Sequence, residues 1–135
     1  MAFIRANSGG GDLSETTLWT NPNPSASFSA QTVTLSQSIT NFKYIAFTYA
    51  RNIDSLSDVH RVIYPVSDVQ KWATSSSEVN KTYGMIIARG SSGNSYNRPI
   101  FYASDTTINF RNSTLFSNST IFNGSNVPLA IIGMK

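Results

Sequence analysis

Residues 18–35 read LWTNPNPSASFSAQTVTL. A short apolar run closes on Trp19, Asn21-Pro22-Asn23-Pro24 breaks it at once, and Phe28 then leads into Val33 and Leu35. Proline has no amide to give to a strand ladder, and it pushes the residue before it toward extended geometry. The break is therefore an extended crossing and not a tight hairpin. Residues 31–35 alternate, with Val33 and Leu35 on one face and Thr32 and Thr34 on the other, the period of a half-buried strand. The stretch predicts an edge strand over 16–20 with Trp19 packed under the sandwich edge. The prolines carry the chain from that strand to a second sheet and blunt the edge against stray pairing.

Working outward, the strongest strand signal is 42–50, where Ile45, Phe47 and Tyr49 mark one face and Phe42, Tyr44 and Ala46 leave the other apolar too. Further strands are expected at 59–65, 82–89, 99–103, 107–111 and 127–134. A weaker one is expected near 119–122, with Asn123-Gly124 as its turn. Only 68–73 reads as a helical turn. About eight short strands joined by Ser-, Asn- and Gly-rich loops predict an all-β fold, an antiparallel sandwich or jelly roll. Strands apolar on both faces suggest that a neighbouring subunit covers one outer face. No internal repeat is visible.

Residues 1–15 read as an extended arm ahead of a sandwich domain over 16–135. Phe3, Ile4 and Arg5 precede Gly9-Gly10-Gly11, a hinge by composition. The arm is expected to anchor on another subunit or another protein, Phe3 and Ile4 inserting while the glycines bend.

Composition narrows the function. At 135 residues the chain has enough length for one core. Charged residues are only 13%, about half the usual share, and Ser, Thr and Asn make up roughly a third of the chain. Eight Phe, six Tyr and two Trp set it apart from disordered polar chains. There is no cysteine, so disulfides, thiolate metal sites and a cysteine nucleophile are excluded. The ten basic residues are spread along the chain with no two adjacent, unlike a nucleic-acid footprint. No run is long enough for a membrane helix, and the first residues lack the pattern of a signal peptide, so neither membrane insertion nor signal-directed export is expected.

Catalytic signals are thin. His60 is the sole histidine, and DSLSDVH puts it near Asp54, Asp58, Ser55 and Ser57 in a spacing that fits no hydrolase or metal template. On a strand, Asp58 and His60 would share a face and could pair. The seven acids sit in no telling motif for glycoside cleavage, and no cofactor, metal or catalytic residue is expected. Binding has better candidates. The loop GSSGNSYNR, residues 90–98, sets Tyr96 among Asn94, Asn97 and Arg98, the residue types that stack on a sugar and bond its hydroxyls. Trp72, beside Lys71, is a second candidate platform. The plainer readings are a surface loop and a core tryptophan.

The run LWTNPNPSASFSAQTVTLSQSITNFKYIAFTYARN resembles a pattern of small structural proteins of tailed bacteriophages and prophages. So do the Gly-rich start SGGGD and the end VPLAIIGMK, with Pro128, Ile131, Ile132, Gly133 and Lys135 in the corresponding places. The resemblance covers residues 8–50 and the last nine, and it marks a scaffold, not an active site. It implies a virion protein made in the host cytoplasm, a homotrimer or other ring-forming oligomer that joins other virion proteins through its arm. The leading expectation is a tail-associated receptor-binding or fibre-tip protein attaching to host surface glycans. Second comes a capsid-surface decoration protein, and a polysaccharide-trimming hydrolase is a distant third.

Overall fold

In an extended chain neighbouring side chains point to opposite faces, yet Leu18 and Trp19 both pack on the core. A computed structural model shows why. It describes residues 14–75, 77–78, 81–89 and 94–135; the expected anchors Phe3, Ile4, Arg5, Gly9, Gly10 and Gly11 lie outside these. Strand β1 (Glu15–Thr20) pairs Thr17 with Ile132 and Trp19 with Ile131, so Leu18 is the extra residue of a bulge. Two residues then oppose one, and both reach inward.

Nine strands among the described residues form two antiparallel sheets, a β-sandwich. One sheet runs β1, β9 (Ser125–Met134), β3 (Tyr44–Asn52), β4 (Val59–Pro65). The other runs β2 (Gln31–Thr34), β7 (Thr107–Phe110), β6 (Ser95–Ser104), β5 (Gly84–Arg89), and the short β8 (Thr114–Leu115) pairs β6 beyond the end of β7. β1 and β2 are edge strands of different sheets, so the Asn-Pro-Asn-Pro segment makes the expected crossing. Asn21 pins it: its side-chain Nδ2 donates to Pro128 O at 2.8 Å, and its Oδ1 accepts from Asn23 N at 2.8 Å.

Two prolines sit inside strands, where a missing amide should break the ladder. Pro128 lies where the β3–β9 register shifts. Pro99 lies on β6 between the rows paired with β8 and those paired with β7. Its carbonyl accepts from Arg111 N at 3.0 Å on that side, so the absent N–H points at the seam between the two partners. The sequence puts a strand start at Pro99; the ladder begins four residues earlier, at Ser95. The expected strand near 119–122 is reduced to one bridge, Thr114 to Ile121. The helical turn comes earlier than expected, as α1 (Val66–Val69), where Pro65 leads in and Val66 and Val69 are buried.

The core is a chain of rings. Trp19, Phe28 and Phe110 lie with centroids 5.6–6.0 Å apart, Phe47 joins Phe110 to Trp72, and Tyr64 stands edge-on to Trp72 at 4.8 Å. Edge-to-face pairs of this kind add about 0.5–1.5 kcal/mol each beyond burial. The rings demand room from the backbone beside them. Gly84 backs onto Trp72 and Gly133 onto Phe42, and a Cβ would come within 2.3 and 2.6 Å of the ring carbons.

Tyr64 and Tyr49 reach from the first sheet to the open edge of β5. Tyr49 Oη donates to Ile87 O, and Tyr64 Oη donates to Met85 O and lies 3.3 Å from Met85 N as its acceptor. Two hydroxyls thus occupy backbone groups that would otherwise template another strand. Burial raises the Tyr49 pKa, so this donor keeps its proton at neutral pH.

The outer face of the four-stranded sheet remains partly apolar. Tyr44, Val59 and Ile63 are exposed there, on the face shared with Ala46 and Ala50 by the strand register. Across it, Arg61 of β4 bonds Glu15 of β1 at 3.0 and 3.4 Å.

Candidate ligand-binding site

The residues singled out for sugar binding do not converge. Residues 90–93 are outside those described; from Ser95 the segment is strand, not loop. Arg98 points into the sandwich and is fully buried. Its Nε donates to Asn126 O at 2.8 Å, Nη1 to Arg111 O at 2.7 Å and Nη2 to Ser125 O at 3.1 Å, with its guanidinium 5.2 Å from the Phe28 ring centre. Burial lowers its pKa to about 9, which still leaves a cation at neutral pH. Asn97 is buried and accepts from Thr114 Oγ1 at 3.4 Å. Tyr96 is half-buried, its ring 5.3 Å from that of Phe122. Asn94 is exposed at the start of the strand. Trp72 lies in the core against Tyr64 and Phe47. Arg98 and Trp72 therefore have nothing to offer an external ligand: the register of β6 and the turn after α1 direct them inward. The plainer reading of Trp72 as a core residue is the one the packing supports.

The expected Asp58–His60 pairing is present, with Asp58 Oδ1 3.1 Å from His60 Nε2 and Asp58 Oδ2 3.0 Å from Arg51 Nε. His60 stacks on Tyr49 at 5.5 Å. The carboxylate is shared between two partners on an exposed surface, an arrangement that holds the β3–β4 end together. Among the described residues no cluster of three or more His, Asp or Glu has the geometry to hold a metal.

The groups that do converge line a cleft of about 520 Å³ on the outer face of the five-stranded sheet. Alternation along β6 turns Arg98 and Ile100 to the core and Pro99 and Phe101 to this face. The segment after α1 supplies Glu78, Lys81 and Tyr83; the end of β7 supplies Arg111 and Asn112; the turn beyond β8 supplies Ser119 and Ile121. Tyr83 packs edge-on to Phe101 at 5.4 Å and leaves 45% of its own surface open. Arg111 lies with its guanidinium 5.7 Å from the Phe101 ring centre. Such a contact orients the cation while leaving its edges free to donate.

Glu78 organises one wall. Its Oε2 accepts from the amide and, at 2.7 Å, the hydroxyl of Thr74, and Oε1 lies 3.4 Å from Lys81 Nζ. The Thr74 amide bond, then its hydroxyl, and more weakly Lys81 hold the carboxyl down to about 2, from an ordinary 4.5. A depressed acid contributes its stabilisation above its unfolded pKa and loses it as pH falls through the folded one. The wall is thus intact at neutral pH and loosens only in strong acid. The Thr74 amide shift, followed by NMR, is expected to titrate with a midpoint near 2; a midpoint near 4.5 would show that the bond is not formed in solution.

Tyr83, Phe101 and Arg111 were not singled out in the sequence, although one signal was there. Pro99 and Phe101 share a face opposite Ile100 and Tyr102, so an apolar side chain is left outside the core. Glu78 and Lys81 carry no such mark, because no local pattern in the sequence tells which way they face.

No protein-family model matches this chain, and no curated protein matches it.

Proposed function

We propose that this protein is a binding module of a tailed-phage particle, a small receptor-binding or fibre-tip protein that attaches to host surface glycans through the cleft on its five-stranded sheet. The observation that carries the reading is the cleft itself: an exposed Tyr83 ring beside a guanidinium and amide and hydroxyl groups, in a volume within the range of ligand sites. A ring face stacks on the apolar side of a sugar while the polar groups take its hydroxyls. The phage assignment is supported by the sequence resemblance alone. The site is open, so single contacts would be weak, and several copies on one particle would raise avidity. Exposed Tyr44, Val59 and Ile63 on the opposite face support a homo-oligomer, proposed as a trimer, that packs through the four-stranded sheet. The residues ahead of the sandwich would join it to other virion proteins.

Two measurements test the proposal. Label against the protein on intact particles should fall at the tail tip in electron microscopy; label over the head would replace attachment with capsid decoration. Tyr83→Ala should lower adsorption to cells about tenfold or more while assembly and thermal stability hold, because the ring is half open and, among the described residues, its ring partner is Phe101 outside the core cluster. Unchanged adsorption would remove the cleft from the attachment reading.

A further inference from the structure

The charge in the cleft is unevenly committed, and this bears on which glycan it takes. Glu78 is spoken for: both oxygens are engaged by Thr74 and Lys81, and the three donors arrive from the cleft wall itself. Lys81 is in turn occupied by that carboxylate. Arg111 is different. Among the described residues its side chain makes one long hydrogen bond, Nη1 to Asn109 Oδ1 at 3.4 Å, and otherwise rests on the Phe101 ring. No carboxylate among the described residues lies within ion-pair distance of it. A planar guanidinium held over an aromatic ring, with most of its N–H groups unspent, is preorganised for a planar anion that accepts two parallel bonds. Beside it, Asn112 has its Oδ1 occupied by Ala30 N and Asn123 Nδ2, so its NH₂ is the part left to donate. The cleft therefore presents donors around one uncompensated positive charge, with Tyr83 as a stacking surface a ring away.

We propose that the cleft selects acidic saccharides, sugars bearing a ring carboxylate such as uronic or sialic acids. Arg111 takes the carboxylate in a two-bond fork and Tyr83 stacks on the sugar ring. This rests on the glycan-binding reading and sharpens it. A neutral sugar would leave Arg111 unanswered. Selection arises because removing the carboxylate returns the guanidinium to a single weak partner, while the stacking contribution is the same for both sugars.

The test uses the full chain against immobilised polygalacturonate, alginate, hyaluronate and polysialate, each beside its own carboxyl-reduced form. At least one acidic polymer should bind ten times or more better than its reduced partner, with the preference shrinking as salt rises. Arg111→Gln should abolish that preference with little change in melting temperature, and Arg111→Lys should restore part of it through charge without the fork. Tyr83→Ala should weaken acidic and reduced polymers alike. Equal binding of the acidic and reduced forms would overturn the acidic selection and leave glycan binding standing. No binding to any of the eight polymers would overturn both. A preference that survives Arg111→Gln would place the acidic group elsewhere and overturn the assignment to this cleft.

Discussion

Replacing Arg98 by alanine should cost about 3–5 kcal/mol, a large part of the total stability of a domain this size. Three backbone carbonyls, of Asn126, Arg111 and Ser125, would lose their donors. Each buried acceptor left unsatisfied costs about 1–3 kcal/mol. The truncated side chain also leaves a void against Phe28. Against this stands the relief of no longer burying a cation, which the depressed pKa of about 9 reflects, so the net loss is smaller than the sum. Arg98→Lys separates the terms: it keeps the charge but concentrates its donors at one point, which cannot reach three diverging carbonyls. It should recover less than half of the loss. Arg98→Met fills the volume and leaves the carbonyls bare, and should fall between alanine and wild type. Urea unfolding reads all three, and an alanine variant within 1 kcal/mol of wild type would show that the carbonyls find other partners.

Gly133→Ala should be as damaging for the opposite reason. The added Cβ would lie 2.6–2.7 Å from three carbons of the Phe42 ring. Neither party can step aside easily. Gly133 lies on β9, held on both sides by Thr16 of β1 and Ile45 of β3. Phe42 is buried, with its amide bonded to Ile39 O. Overpacking a fixed core costs about 1–3 kcal/mol and more where the backbone is pinned, so about 3 kcal/mol is expected. Gly84→Ala makes a closer approach to Trp72, 2.3 Å, but lies on β5, which has one strand partner and two tyrosine hydroxyls to hold it. An edge strand can yield, so its loss should be smaller although its clash is worse. Combining Gly133→Ala with Phe42→Leu should recover more than 1 kcal/mol relative to the sum of the two single losses. Additive losses would mean that the ring is not what alanine meets.

These sites show which parts of the molecule the sequence made readable. Strand positions came through wherever apolar residues alternate, and the 59–65 strand is found with the bounds expected for it. The crossing at Pro22 and Pro24 was legible because proline acts through its own backbone, without help from distant residues. Arg98 was not. Its neighbours Ser95 to Asn97 are polar, so the segment reads as loop, and what allows an arginine inside is a set of carbonyls 13–28 residues away in sequence. Trp72 was ambiguous for a related reason. A tryptophan is equally suited to a core and to a sugar surface, and what tells which is its distant partners Phe47 and Tyr64 and the room that Gly84 leaves for it. The cleft joins residues 73 to 121 across several turns, and its key contact, Arg111 over Phe101, is fixed by the β6–β7 pairing rather than by any local pattern.

The position of β9 has a temporal consequence. It sits in the interior of its sheet, between β1 and β3, and contributes Ile131 and Val127 to the core. The four-stranded sheet therefore cannot close while Ser125–Met134 is still being synthesised, and β1 and the β9-facing edge of β3 must wait with their ladder groups unpaired. Pairings that span about a hundred residues also make for slow closure, on the order of milliseconds to seconds. During that interval the nascent chain can hold the β3–β4 hairpin and, later, the five-stranded sheet, whose strands all precede β9 in sequence. Until Ser125–Met134 arrives, two strand edges stand open, and association of unfinished chains through those edges is the hazard this topology carries.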